Sequence, residues 1–300
     1  MTVSNPGRVH LNQPRIVKLT GGLYTVALPN GTLQSCKPKG LFRHHDFRPK
    51  VGDWVVLEGD TITEVAPRKN DFGRPQIANV DQVLLIASLK EPDFSFLLLD
   101  RFLALIYKQG VDVVVIVTKT DLADRGELDA FQTKMRHYET FCPVLFVSSK
   151  TKDGLGPLFP LIEGKVNVVA GQTGAGKSSL LNAIQPDLDL ATDEISKALG
   201  RGKHTTRHVE LIPFGEGWIA DTPGFSKLEF EAWEAADLKD LYPDFSPYRG
   251  QCRFENCVHV KEPGCAVKQA VKAGAIPEER HQNYVRLFEE IAAQKPKYPR

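Results

Sequence analysis

No apolar run in this sequence is long enough to cross a membrane. The longest, such as "VVVIV" at 113–117, have the length of a strand, and the opening "MTVSNPGRVHLNQP" has no apolar stretch of the signal-peptide kind. A soluble cytoplasmic protein is expected. Cysteine is scarce and odd in number, five in 300 residues, which argues against a disulfide framework. Three of the five, Cys252, Cys257 and Cys265, fall within fourteen residues, which is how metal ligands are spaced. A marked excess of either charge is also missing. The net charge is +1, so the average gives no sign of a nucleic-acid partner. Its distribution is uneven, however: residues 1–75 carry +5, residues 76–245 carry −8 and residues 246–300 carry +4, two basic ends around an acidic centre.

The length exceeds one comfortable core, and the pattern changes twice along the chain. From Arg15 to about Val65 there are five short β-rich runs, "RIVKL", "LYTVAL", "TLQSC", "DWVVLEG" and "TITEV". The Asn30-Gly31 pair between two of them is a hairpin signal. Five such strands suggest a small barrel, of OB-fold or SH3-like type, over residues 1–70. Arg43, His44, His45, Arg48 and Lys50 lie in one connecting segment, as RNA contacts or as a solvated loop. Over 71–231 strands alternate with helices. "VDQVLLIAS", "VDVVVIVT", "PVLFVSS" and "KVNVVAG" read as buried parallel strands, with helices near 96–109 and 127–139, and this is the pattern of a doubly wound α/β domain. Residues 232–300 read as a mostly helical tail that contains the cysteine cluster.

Residues 171–179, "GQTGAGKSS", fit the phosphate-cradling pattern G-x-x-x-x-G-K-[ST]. Gly171, Gln172, Thr173, Gly174, Ala175 and Gly176 supply backbone N–H groups, Lys177 reaches the terminal phosphates, and the Ser178 hydroxyl, followed by Ser179, ligates Mg²⁺. "DTPG" adds Asp221, which holds Mg²⁺ through water, and Gly224, whose N–H meets a γ-phosphate. "TKTD", Thr118, Lys119, Thr120 and Asp121, resembles the guanine-reading Asn-Lys-x-Asp of GTPases. The Asp121 carboxylate accepts from guanine N1–H and the exocyclic amine, an arrangement that adenine does not offer. Thr118 stands where asparagine braces the loop. "SSK", Ser148, Ser149 and Lys150, resembles the Ser-Ala-Lys that places an N–H on guanine O6.

The motif order carries the argument. A standard GTPase runs P-loop, switch I threonine, DxxG, guanine reader and Ser-Ala-Lys, whereas this chain runs TKTD, SSK, GQTGAGKS, HTT, DTPG. It is the same cycle opened elsewhere, which a compact sheet tolerates when the new cut falls at the surface. Phe225 follows DxxG where many GTPases place a water-orienting glutamine, so slow intrinsic turnover is expected. His204, beside Thr205 and Thr206, is the candidate for orienting water, and Thr205 or Thr206 completes the Mg²⁺ shell. In the tail, "CRFENCVHVKEPGC" offers Cys252, Cys257, His259 and Cys265, four ligands that suit one tetrahedral, structural Zn²⁺.

The permuted order, the preceding barrel, "GRGKHTTRHVEL" (200–211) and the trailing cluster together resemble the ribosome small subunit-dependent GTPase A family, over essentially the whole chain. The resemblance implies a cytoplasmic protein of three parts, an OB-fold, a circularly permuted GTPase domain and a zinc-binding domain. It also implies binding of GTP or GDP and of the rRNA of the small ribosomal subunit, late in the subunit's maturation, with stimulation by it; a monomer without membrane attachment is expected. An RNA-binding module gated by nucleotide, with incidental hydrolysis, is the alternative.

Overall fold

The computed structural model describes residues 13–40, 42, 47–73, 75–186, 209–221 and 233–294. The chain divides into two compact units. One comprises Met1–Val83, Phe159–Ala170 and Ala191–Ser226; the other comprises Leu84–Leu158, Gly171–Leu190 and Lys227–Arg300. Among the described residues no helix is long and apolar enough to cross a membrane.

The first unit begins with β1 (Arg15–Thr20), β2 (Leu23–Ala27), β3 (Leu33–Pro38), β4 (Val55–Glu58) and β5 (Thr61–Val65). They lie in the order β4-β5-β3-β2-β1, with β3 and β5 parallel and the other pairs antiparallel. An antiparallel bridge between Arg15 and Trp54 then joins the start of β1 to the residue before β4, with Ile16 N–H donating to the Asp53 carbonyl at 2.9 Å and Val55 N–H to the Pro14 carbonyl at 2.9 Å. That path, 1-2-3-5-4 and back to 1, is the closed five-stranded barrel of an OB-fold rather than an SH3-like one. Ile16, Val26, Val55 and Ile62 fill it. The hairpin at Asn30-Gly31 departs from a two-residue turn. Ala27 pairs with Leu33, Leu28 N–H donates to Thr32 O, and only Gly31 takes positive φ (80°), while the Asn30 side chain accepts from Thr32 N–H. Proline at position 29 fixes φ negative and so favours this longer loop. Of the basic segment, Arg43, His44 and His45 lie outside the described residues, Arg48 is exposed, and the Lys50 ammonium is bound internally to Asp71 and the Phe72 carbonyl.

The same unit continues through β9 (Val166–Gly171), whose last residue belongs to the second unit, β10 (Glu210–Phe214) and β11 (Gly217–Asp221). β10 pairs antiparallel with β1, with an ion pair from Lys18 to Glu210 at 2.7 Å, and β11 lies between β10 and β9, parallel to the latter.

The second unit holds β6 (Gln82–Ser88), whose first two residues belong to the first unit, α1 (Phe96–Lys108), β7 (Asp112–Thr118), α2 (Arg125–Glu139), β8 (Val144–Phe146) and α4 (Lys177–Ile184); the single turn α3 (Phe159–Ile162) belongs to the first unit. β7 is buried from Val113 to Thr118 and pairs parallel with β8, as its β-branched run predicts. Asp124 and Glu127 form a reciprocal capping box that starts α2 directly after the TKTD loop. The tail adds two 3₁₀ segments, Ala235–Leu241 and Pro243–Tyr248, then α5 (Ala266–Lys272) and α6 (Glu278–Ala292). Its core, Leu238, Tyr242, Phe245, Val267, Ile276, Tyr284, Leu287 and Ile291, packs with Ala104 of α1.

One polar cluster is sealed inside this unit. Arg280 of α6 is 2% exposed, donates to the fully buried Asp100 of α1, and forks onto Asp244 at 2.9 and 3.1 Å. Tyr138 and Asn283 also donate to Asp100, at 2.7 and 2.8 Å, while the His137 ring sits 3.0 Å from Asp244. Burial alone would raise the Asp244 carboxyl, but Arg280 and His137 outweigh it and hold its pKa at about 2, against an ordinary 3.8. A depressed carboxylate contributes stability above its unfolded value and loses it as pH falls through the folded one. Asp244 should therefore contribute about 2 kcal/mol that is lost between pH 3.8 and about 2, and Asp244→Asn should flatten the acid limb of a stability curve followed by tyrosine fluorescence. Arg280→Ala, which strands a buried carboxylate, should cost ~3–5 kcal/mol in urea denaturation.

Candidate nucleotide and metal sites

The P-loop leaves β9 at Gly171, where φ is +136° and an added Cβ would sit 2.0 Å from the Ile86 carbonyl oxygen. No residue with a side chain fits there. Gly176, also at positive φ (85°), caps α4, so the loop's backbone turns inward just where the helix presents its first N–H groups. Lys177 curls back over the loop and donates to the Gly171 and Gln172 carbonyls at 2.9 and 2.8 Å. Ser178 lies half-buried on the first turn of α4, and Thr173 and Ser179 are exposed.

Two hydrogen bonds bring the separate motifs together. The Thr118 hydroxyl, buried at the end of β7, donates to the Ala175 carbonyl at 2.6 Å and so ties the TKTD segment to the P-loop. Threonine thus does the bracing that asparagine does in the common motif. It does so with its single O–H. The Ser148 hydroxyl donates to Asp121 at 2.7 Å and itself accepts from the Lys150 and Thr151 N–H groups at 3.2 and 3.1 Å, which ties SSK to TKTD. Asp121 is exposed with one carboxylate oxygen held in this way. Lys119 takes left-handed backbone (φ 59°), and its Cε lies 4.0 Å from where a Cβ on Gly176 would be, so its stem crosses the P-loop. Thr120 and Ser149 are half-buried and Lys150 is exposed. Sequences 53 residues apart, 118–121 and 171–178, thereby form one surface. His204, Thr205, Thr206 and Gly224 lie outside the described residues, and Asp221 is described only as the last residue of β11.

Residues 88–92, which no motif reading singled out, also touch this surface: the Lys119 ammonium donates to the Glu91 carbonyl. The only signal in the sequence is an "EPD" turn directly after a buried strand.

In the tail, the ligand atoms of Cys252, Cys257, His259 and Cys265 all lie within 4.8 Å of one another. His259 Nδ1 is 3.6, 3.5 and 3.4 Å from the Cys252, Cys257 and Cys265 sulfurs, and the Cys252 and Cys265 sulfurs are 4.0 Å apart. Around a tetrahedral zinc with Zn–S of about 2.3 Å and Zn–N of about 2.0 Å, the edges would be about 3.5 Å for N to S and about 3.8 Å for S to S. The cluster therefore fits one zinc ion held by four protein ligands, with no open position for catalysis. Support comes from outside the four. The Cys252 and Cys265 sulfurs accept from the Ala266 and Lys268 N–H groups at the start of α5 (3.3 and 3.5 Å), and His281 and Tyr284 of α6 donate to the carbonyls of His259 and Val258 (2.8 and 2.6 Å). Glu262 gathers the Val258, Val260 and Lys261 N–H groups, which lower its pKa against the raising effect of burial. Zinc should accordingly copurify at about one atom per chain, and chelation or Cys257→Ser should loosen residues 252–265 in hydrogen exchange while nucleotide binding persists.

Comparison with known proteins accords with this geometry. The sequence model of the RsgA GTPase family matches residues 65–231 and that of the RsgA N-terminal domain residues 13–65. The chain is 47% identical over 289 residues to the small ribosomal subunit biogenesis GTPase RsgA of Shouchella clausii, covering 94% of this chain and 98% of that one. It is 46% identical over 290 residues to the protein of the same name from Bacillus cereus, covering 95% and 99%. Among solved structures, YjeQ from Thermotoga maritima superposes with a TM-score of 0.85 at 35% identity (95% of this chain, 99% of that chain). YloQ, described as a circularly permuted GTPase, does so with 0.81 at 39% (97% and 99%). With the two family models together covering residues 13–231 and a relative 47% identical over 94% of the chain, the chain belongs to the RsgA GTPase family.

Proposed function

We propose that this GTPase acts in biogenesis of the small ribosomal subunit, binding the subunit through its rRNA and turning over GTP in response to it. The relatives named for that role match the chain end to end, and its two basic ends suit a phosphate backbone. The observation that carries the nucleotide reading is the pair of hydrogen bonds joining three motifs, Thr118 to Ala175 and Ser148 to Asp121. In this reading residues 1–70 form the OB-fold part, 71–231 the permuted GTPase domain and 232–300 the zinc-binding domain, working as a monomer in the cytoplasm.

The assignment of roles follows from chemistry. N–H groups of the loop Gly171, Gln172, Thr173, Gly174, Ala175 and Gly176 and the N-terminus of α4 hold the phosphates, with Lys177 as their fixed positive charge. Ser178, Asp221 through water and Thr205 or Thr206 would hold Mg²⁺, which supplies charge neutralisation at the β- and γ-phosphates. Asp121 reads the guanine edge, Lys119 lies along base and ribose, and Ser148, Ser149 and Lys150 present backbone to O6. Gly224 senses the γ-phosphate, and His204 orients water in place of the glutamine that Phe225 displaces.

Exchanging the carboxylate acceptor of Asp121 for an amide in Asp121→Asn should lower GTP affinity by ~10-fold or more and shift preference to xanthosine triphosphate, measured with labelled nucleotides. Unchanged GTP affinity would remove TKTD from the site. For the cellular role, phosphate release should rise on adding small ribosomal subunits and not on adding large ones. Equal rates with both would leave a GTPase with no claim on the small subunit.

A further inference from the structure

Between β6 and α1 the chain runs through "SLKEPDFS" (88–95), a segment outside every nucleotide motif and yet bonded to one of them and packed against another. Leu89 N–H donates to the Thr118 carbonyl at 3.0 Å, and the Lys119 ammonium donates to the Glu91 carbonyl. Pro92 Cδ lies 3.5 Å from the point a Cβ on Gly174 would occupy, so the ring rests against the P-loop. The segment is itself fixed at both ends of this contact. The buried Ser88 hydroxyl donates to the Pro92 carbonyl at 2.6 Å, and Lys90 pairs at 2.6 Å with Glu127, the residue that closes the capping box of α2.

An unanchored lysine has more rotamer freedom to lose than almost any other side chain, and a binding site that orders it only when ligand arrives loses affinity by that amount. Here Lys119 is already ordered, with its stem across Gly176 and its ammonium on a main-chain carbonyl. We propose that residues 88–92 are a positioning element for the nucleotide site, which preorganises Lys119 along the base and ribose, and that Ser88, by fixing the Pro92 carbonyl, is its positioning residue. This rests on the reading that TKTD and the P-loop hold a guanine nucleotide.

The test is a double-mutant cycle on the full chain, read as the Kd for GDP and as KM and kcat for GTP, with Ser88→Ala, Lys119→Met and the two combined. Ser88→Ala should weaken GDP about 5-fold, the effect of one ordinary hydrogen bond, and the loss should fall on KM rather than kcat. In the Lys119→Met background the same change should have no further effect, because the side chain being positioned is gone. Pro92→Ala, which removes the ring contact at Gly174, should show the same dependence on Lys119 and serves if Ser88→Ala fails to fold. Additive losses in the cycle, a loss confined to kcat, or tighter GDP binding by Ser88→Ala would each overturn the proposal. Failure of the nucleotide reading looks different: Lys119→Met would then leave GDP affinity unchanged.

Discussion

A single buried hydrogen bond, from the Thr118 hydroxyl to the Ala175 carbonyl, sets the geometry on which the nucleotide site depends. A P-loop can hold phosphates anywhere in a sheet, and an aspartate can read guanine anywhere on a surface. Selectivity requires the two at a fixed separation. A hydroxyl with one proton to give, buried where water cannot compete, makes a bond that is costly to leave unmade. The steric demand at Gly171, where only hydrogen clears the Ile86 carbonyl, fixes the other side of the same arrangement. Lys119 and Ser148 then elaborate a frame that is already rigid.

Chain rotation is compatible with this because none of these contacts depends on which loop comes first. Thr118 meets Ala175 from 57 residues upstream, whereas in the common order the phosphate loop precedes the base reader. What rotation does change is what lies downstream of β11. After β11 the chain passes to the metal-binding tail, whereas in the common order the half that carries the base reader would follow. The tail is secured in the second unit by two different means, a four-ligand cluster that closes the loop 252–265 and the Asp100–Arg280–Asp244 array that seals α6 against α1. Buried arrays of this kind add little net stability over an apolar core, yet they tolerate one geometry only, since any other leaves a charge unpaired.

Much of this was legible beforehand because it rests on local chemistry or on spacing. The five barrel strands, the buried run of β7, the helix near 127–139, the permuted motif order and the Cys3His spacing are all written in short stretches whose physics is nearly independent of their surroundings. Three features were not. The turn after Ala27 carries Asn-Gly, but Pro29 lengthens it. Asp100 stands amid "FLLLDRFLALIYK", an acid in an apolar face whose partners Tyr138, Arg280 and Asn283 are 38, 180 and 183 residues away. Residues 88–92 carry no motif at all, and their contacts with Thr118, Lys119 and Gly174 exist only in the folded chain.

The sequence by itself determined the chemical types at the site, because carboxylate, ammonium, thiolate and the N–H groups of a glycine-rich loop have fixed preferences for guanine, phosphate and zinc wherever they stand. It determined the strands and helices too, since period and capping act over a few residues. Tertiary structure alone decided that Thr118 can replace asparagine, that Ser148 holds Asp121, and that one arginine serves two buried acids. Each of these depends on distances of about 3 Å between groups far apart in the chain, and the order of residues carries no record of such distances.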